Sequence, residues 1–336
     1  MEKVTVIGLG SWGTTLAEVL ASNGHDVLAW GRSEAACAEI EAQHTHSRYL
    51  PGFTLSPGLR ATTDLARACA HSHWILLVVP SHVLRETARA MGDHLSGEHM
   101  VVHATKGIEQ GTFRRMSEVL REETCARRLG VLSGPNLAKE IMRRQPAGTL
   151  VASRYQEVLD HSVALLHSPA FRVYTGDDVV GAEVGGAFKN IVAVAAGVVD
   201  GLGLGDNTRA LLLTRGLAEM ARVGAAMGAR VVTFGGLAGI GDLMATCASP
   251  LSRNHQVGER LAKGQGLEQI QAALGMVAEG VKTTRSTHHF AQRHGLDLPI
   301  VRAVHGVLYE GVPVRRALDE LMALPPSHEL VELAWR

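Results

Sequence analysis

Cysteine is scarce: the 336 residues hold four, at Cys37, Cys69, Cys125 and Cys247, with no CxxC pair and no framework spacing. That excludes a small disulfide-stapled secreted fold and suits a reducing compartment, the cytoplasm. Net charge is also missing, because 33 Lys plus Arg balance 33 Asp plus Glu. Bulk attraction to nucleic acid or to a polyanionic membrane is therefore not expected. No uninterrupted apolar run approaches the length that spans a bilayer, and the chain enters a β-branched run at Val4 with no basic start and apolar stretch before it. Neither a membrane segment nor a signal peptide is expected. The 17 histidines are scattered, and the close pairs His44/His46, His71/His73 and His288/His289 have no Cys, Asp or Glu at ligand spacing, so no metal site is expected. Repeats and low-complexity segments are absent too. What remains is a soluble intracellular chain, long enough for two domains or one large one.

The first half alternates strand and helix patterns. Residues 4–7 lead directly into Gly8-Leu9-Gly10-Ser11-Trp12-Gly13, a helix pattern follows over 14–23 with Gly24 as its stop, and a second strand pattern covers 26–30. A GxGxxG string between strand and helix is the context of a dinucleotide-binding loop. Gly8 makes the tight turn, Gly10 admits a pyrophosphate to the backbone, Gly13 lets helix and strand approach, and the helix N-terminus faces the phosphates. The end of the second strand, where an acidic residue would bind the adenosine ribose, holds Arg32. A guanidinium there admits a 2′-phosphate, so NADP is favoured over NAD; the alternative is a solvated surface arginine. Further strands at 74–79, 100–104 and 130–132 end in Pro80-Ser81, Thr105-Lys106-Gly107 and Ser133-Gly134-Pro135-Asn136. In open α/β sheets ligands bind at that edge, which puts Lys106 and the Ser-Gly-Pro-Asn loop in reach of a ligand, although Lys106 reads equally as a loop lysine in water. The sheet pattern continues to about residue 175, and the domain change falls near 177–181.

The second half reads as helical. Residues 181–199 form a run of small apolar residues around Lys189, whose neighbours at helical spacing, Gly185, Gly186, Val192 and Ala193, carry no charge. Burying such a lysine would lower its pKa, and the glycines one turn back leave open space for a ligand at its amine. The alternative is a lysine that snorkels to solvent. A helix over 208–227, capped by Asn207 or Thr208, precedes the glycine-rich turn 235–241 and Asp242. Ser252-Arg253-Asn254 then opens another helix, offering free amides, a hydroxyl, a guanidinium and an amide as a seat for a phosphomonoester. The plainer reading is an ordinary capped helix with an exposed arginine. Helix patterns continue over 267–274, 283–294 and 300–309, and the tail from Pro325 reads as surface.

The strings GLGSWGTTLA, YLPG, ATKGIE, SGPNLAKE, GGAFKNIVAVAAG, GLGDNTRA, GLAGIGDLMATC, SRN and AEGVKTT occur in that order across nearly the whole chain. In these the chain closely resembles the bacterial NAD(P)-dependent glycerol-3-phosphate dehydrogenases. The resemblance implies a Rossmann-type N-terminal domain over 1–178, an all-helical substrate domain over 179–336 similar to that of 6-phosphogluconate dehydrogenase, and a homodimer. It also implies hydride transfer between NAD(P)H and dihydroxyacetone phosphate, supplying glycerol phosphate for phospholipids. Lys189 then matches the proton carrier at the C2 oxygen, Lys106 touches both substrate and cofactor, and Asp242 joins them in catalysis. Gly134, Asn136, Asp242, Ser252, Arg253 and Asn254 match substrate contacts; Ser11, Trp12, Arg32, Tyr49, Ala138, Arg253, Val277 and Glu279 match cofactor contacts beside Gly8, Gly10 and Gly13. The chain departs from the common pattern at Asn136, where the family more often has Ser or Thr, and at Leu137, where Phe is frequent. Two other readings of the residues are a β-hydroxy acid dehydrogenase of the same fold and a non-catalytic dinucleotide-binding module.

Overall fold

The computed structural model describes residues 1–250, 252–274 and 278–326, so part of the tail read as surface lies outside the described residues. The chain divides into two compact units, one of residues 1–105 and 115–179, the other of 106–114 and 180–336. The short segment 106–114 thus belongs with the helices although the sheet flanks it in sequence. Phe113 stacks on Phe290 of the helical unit with ring centroids 4.3 Å apart.

The first unit is built on eight strands: β1 (Lys3–Ile7), β2 (Asp26–Trp30), β3 (Leu59–Thr62), β4 (Trp74–Leu77), β5 (Met100–His103), β6 (Arg128–Ser133), β7 (Ala147–Ser153) and β8 (Phe171–Gly176). They lie in the order 3-2-1-4-5-6-7-8. All neighbours run parallel except β6 with β7. The helices between them are α1 (Ser11–Ser22), α2 (Glu34–Gln43), α3 (Leu65–His71), α4 (Ser81–Gly92), α5 (Met116–Glu123), α6 (Ala138–Met142) and α7 (Gln156–Leu166). Both faces of the central strands are covered. Val4, Val6, Trp74, Leu76 and Val102 enter one core, and Ile7, Ile75, Leu77 and Val101 enter the other. Burial on both faces explains why these strands read as continuous apolar runs. This is a Rossmann-type α/β sheet, with its order reversing between β1 and β4.

The second unit is helical: α8 (Val179–Gly201), α9 (Asp206–Ala226), α10 (Asp242–Ala248), α11 (Arg253–Ala262), α12 (Leu267–Leu274), α13 (Glu279–His294), α14 (Pro299–Tyr309) and α15 (Val314–Met322). A 3-10 turn over Val231–Gly235 and a π-helical turn over Leu237–Gly241 precede α10. The core gathers around α8, with Val184, Phe188, Ile191, Val192 and Val194 buried against Met220, Phe234, Leu243 and Val257. Although Glu183 and Lys189 interrupt its apolar run, α8 is long and apolar enough to cross a bilayer by length and composition alone, with a mean hydropathy of 1.4. Both of these charged residues are buried. Because 83% of that apolar stretch is buried within the protein, the unit's own core accounts for its composition. The cap of α9 also differs from expectation. It is Gly205, because the helix starts at Asp206, whose carboxylate accepts from Arg209 one turn on at 2.6 Å.

The start of α14 is closed from another helix. Glu219 of α9, 1% exposed, accepts from the N–H groups of Ile300 at 2.6 Å and Val301 at 3.1 Å. A buried carboxylate thus satisfies donors that Pro299 and the first turn leave open. Burial raises this carboxyl to about 7, against the opposite pull of the two N–H groups. A folded-state pKa above the unfolded value means that the folded protein holds the proton more tightly, so the stability contribution is full below about 4.5 and is lost as pH rises through about 7. Urea denaturation should therefore show wild-type stability falling across that window, by up to a few kcal/mol, and Glu219→Gln should remove that part of the slope.

Candidate active site

The glycine string after β1 fits the requirements of a dinucleotide loop position by position. Gly8 has φ +118°, and a Cβ there would lie 2.3 Å from the Val78 carbonyl oxygen, so no other residue fits. A Cβ on Gly13 would lie 1.8 Å from the Gly8 carbonyl oxygen, which is the close approach of helix to strand. Gly10 differs, because a Cβ there would meet nothing within 4 Å. It caps α1 with no side-chain hydrogen bond, which puts the helix start at Ser11 rather than at residue 14 and leaves the first amides of α1 open to an anion. Trp12 lies half-buried in that first turn, its Nε1 without a hydrogen-bond partner among the described residues. Buried His46 places its Nε2 3.0 Å from the Leu9 carbonyl oxygen and packs edge-on to Tyr49, holding that segment beside the loop. Arg32 is exposed after β2, next to Ser33, which caps α2. These residues fit an NAD(P) dinucleotide.

At the end of β6, Gly134 takes φ +142°, a conformation that favours glycine. Asn136 is partly committed to the sheet. Its Oδ1 accepts from Thr149 at 3.0 Å and its Nδ2 points to the Gly148 carbonyl at 3.4 Å, which leaves one amide hydrogen for a ligand. Ala138 begins α6 just beyond.

Within the helical unit, the two lysines meet one carboxylate. Lys106 Nζ donates to Asp242 Oδ2 at 2.7 Å. Lys189 Nζ donates to Asp242 Oδ1 and, at 2.7 Å, to the Thr246 hydroxyl. Side-chain exposure is 1% for Asp242, 7% for Lys189 and 20% for Lys106, so the cluster is buried with Lys106 at its open end. Lys189 therefore does not snorkel; its partners come from α10, outside its own helix. The glycines explain the approach and correct the expected open space behind Lys189. A Cβ on Gly185 would lie 2.2 Å from the Ala238 carbonyl oxygen, so the π-helical turn packs backbone-first on α8. Gly239 is equally tight against the Phe234 carbonyl, at 2.1 Å. Asp242 and Thr246, four apart on α10, then present one face to Lys189. Thr246 was missed in the sequence, although that i, i+4 spacing from Asp242 was available as a signal. Burial lowers the Lys189 pKa to about 7; Asp242 opposes the shift and the Lys106 charge adds to it.

The start of α11 is capped by Ser252, whose hydroxyl accepts from the His255 N–H at 3.4 Å; Arg253 is exposed and Asn254 buried. Asn254 was expected to offer its amide to a ligand; the amide also ties three helices together and keeps one Nδ2 hydrogen beyond those ties. Its Nδ2 donates to Asn190 Oδ1 at 2.9 Å, and its Oδ1 accepts from the Gly280 N–H at 2.9 Å. Asn190, next to Lys189 in sequence, was also missed, since its relation to Asn254 is purely tertiary. Glu279 opens α13 beside Gly280, half-buried, and Val277 lies outside the described residues.

Family models described as the N-terminus and the C-terminus of NAD-dependent glycerol-3-phosphate dehydrogenase match residues 3–159 and 178–319. The chain belongs to the NAD-dependent glycerol-3-phosphate dehydrogenase family. A glycerol-3-phosphate dehydrogenase [NAD(P)+] of Bacillus thuringiensis is 46% identical over 333 residues, covering 98% of each chain. The crystal structure of glycerol-3-phosphate dehydrogenase from Coxiella burnetii is similar with a TM-score of 0.91 at 37% identity, over 96% of this chain and 98% of that one. The yeast glycerol-3-phosphate dehydrogenase structure gives 0.84 at 31% identity, over 95% and 99%.

Away from these motifs of the glycerol-3-phosphate dehydrogenase family, the structure does bring one His/Glu group together, which sequence spacing had not suggested. His288, His305 and Glu310 place ligand-type atoms within 4.8 Å of one another. The two imidazoles stack, however, with centroids 3.9 Å apart and planes 12° from parallel, so their in-plane lone pairs do not converge on one ion.

The loop glycines give a paired test. Gly10→Ala should fold with an unchanged Tm, since the added methyl meets no protein atom, yet weaken NADPH binding by about tenfold or more by standing where the pyrophosphate approaches. Gly13→Ala should instead lower the Tm by several degrees, about the effect of a few kcal/mol of strain. Thermal unfolding and NADPH fluorescence titration separate the two.

Proposed function

We propose that the protein interconverts dihydroxyacetone phosphate and sn-glycerol 3-phosphate with NAD(P)H. The observation that carries this reading is the buried pair of lysines sharing Asp242, since a ketone reduction needs a proton donor and positive charge at one oxygen. When bound, the dinucleotide supplies a hydride to C2 or accepts one from it.

The chain's own residues supply the rest. Lys189, in its ammonium form, delivers a proton to the C2 oxygen as the carbonyl electron pair moves onto that oxygen; in the reverse direction its neutral amine takes the proton back. Lys106, at the open end of the cluster, adds a second positive charge to the oxygen. Asp242 fixes both ammonium groups, and Thr246 accepts from Lys189 to hold its orientation. Ser252, Arg253 and the first amides of α11 seat the phosphate, with Asn254 locking that helix start to α8. Gly8, Gly10, Ser11, Trp12, Gly13, Tyr49 and Ala138 hold the dinucleotide, Arg253 and Glu279 contribute from the helical unit, and Arg32 favours NADPH through a 2′-phosphate. The first unit is then the dinucleotide domain and the second the substrate domain. A cytoplasmic homodimer that supplies glycerol phosphate for phospholipid synthesis completes the reading. A β-hydroxy acid substrate is disfavoured because it has no phosphate to occupy the α11 start.

Initial rates with dihydroxyacetone phosphate and each reduced cofactor test the assignment, and no turnover with either would end it. Lys189→Ala should lower kcat by about 10²–10⁴-fold with NADPH affinity unchanged. Arg32→Ala should shift the NADPH-to-NADH preference toward NADH; an unaltered ratio would remove Arg32 from the account.

The pH profile follows from the depressed lysine. The reduction requires protonated Lys189, so its kcat should fall as pH rises through the region of about 7, while oxidation of the alcohol should rise. Lys106→Met removes a neighbouring cation, so both midpoints should move to higher pH.

A further inference from the structure

The string GLGDNTR and the histidine after Ser252-Arg253-Asn254 find no use in the chemistry above, yet the fold joins them. His255, 4% exposed, contacts Asp200 Oδ2 at 2.7 Å through Nε2, and its Nδ1 is buried with no partner among the described residues. Since a carboxylate only accepts, the ring carries its proton on Nε2. The other Asp200 oxygen accepts from Arg209 at 2.6 Å, and Arg209 also holds Asp206. Burial alone would raise the Asp200 carboxyl; the hydrogen bonds from Arg209 and His255 outweigh it and hold the pKa below the ordinary value.

These groups act where α8 and α11 touch backbone to backbone. A Cβ on Gly197 would lie 1.9 Å from the His255 carbonyl oxygen, and one on Gly258 would lie 1.8 Å from that of Val194. At Gly201 it would meet the Glu259 carbonyl at 2.8 Å. Contact through glycines brings the helices close, with the Ala262 methyl set against Gly201. Two polar ties add to it. Asn254 reaches Asn190, and the adjacent His255 reaches Asp200, ten residues and about 15 Å further along α8. The ties hold the start of α11 to the middle of α8 and to its C-terminal end, so each limits how that start can turn.

We propose that His255, anchored through Asp200 by Arg209, is a positioning residue that sets the angle at which the α11 N-terminus presents its amides and Arg253 to the substrate phosphate. The inference rests on the proposed reading of that helix start. It assigns the dyad to phosphate affinity, apart from the proton transfer at Lys189.

The test compares wild type, His255→Ala, His255→Gln and Arg209→Met in steady-state kinetics with dihydroxyacetone phosphate and NADPH, alongside NADPH titration. His255→Ala should raise the KM for dihydroxyacetone phosphate about tenfold, as for one lost hydrogen bond to a charged group, with kcat and NADPH affinity within about twofold. His255→Gln, whose amide can still donate to Asp200, should recover most of that loss. Arg209→Met should raise KM more weakly, and it keeps the test alive if His255→Ala does not fold. An unchanged KM in both His255→Ala and Arg209→Met, or kcat falling in step with kcat/KM, would overturn the positioning role while wild-type turnover upholds the assigned reaction. Wild type without turnover would overturn both.

Discussion

Two ammonium groups share one buried carboxylate, and the helical unit is arranged around that fact. Lys106 and Lys189 each take one oxygen of Asp242, and Asp242 and Lys189 are buried. Without Asp242 the buried Lys189 ammonium would lose its carboxylate in an apolar setting, a state that proteins avoid by losing a proton or unfolding locally. With it, Lys189 stays close to the balance between its charged and neutral forms. A lysine near that balance can pass a proton to an oxygen that becomes negative during reaction.

Glycine serves opposite purposes in the two units. In the loop after β1, Gly8 and Gly13 remove side chains so that protein backbone can meet protein backbone, whereas Gly10 removes one where no protein atom comes near. Space kept empty by the fold is what an incoming phosphate needs. At the helix contacts of the helical unit the glycines are filled: Gly185 by Ala238, Gly197 by His255 and Gly258 by Val194. There the missing side chains shorten the distance between helices until short polar groups such as Asp242, Thr246 and Asn254 can reach their partners. The same residue type makes a vacancy for a ligand in one unit and abolishes vacancies in the other.

Much of this was legible in order along the chain. The strand patterns of β1, β2, β4 and β5 and the glycine spacing between β1 and α1 are local, and local physics decided them. Lys189 announced itself because a charge in an apolar helix is expensive wherever it lies. Its partners were harder to read. Asp242 lies 53 residues on and its pairing depends on a π-helical turn that no periodicity reveals. Thr246 and Asn190 looked like ordinary helix positions, and the part of Asn254 in tying α11 to Asn190 and Gly280 was not readable. Asp200 and His255 were invisible for the same reason: sequence shows which residues are polar, whereas a hydrogen bond depends on which helices cross.

The apolar length of α8 follows from the same constraint. Its composition passes for that of a membrane helix because both settings demand small, uncharged surfaces at helix contacts. Here the demand comes from polar groups. A hydrogen bond tolerates only a few tenths of an ångström, and Asn190, Lys189 and Asp200 are carried on one rigid helix to three separate partners. Larger residues at Gly185 or Gly197 would push α10 or α11 outward by more than that tolerance and break the bonds together. The apolar stretch is thus the mechanical frame of a polar centre. Hydrophobicity along α8 measures how closely its neighbours must approach, and the charge it buries is the reason for that closeness.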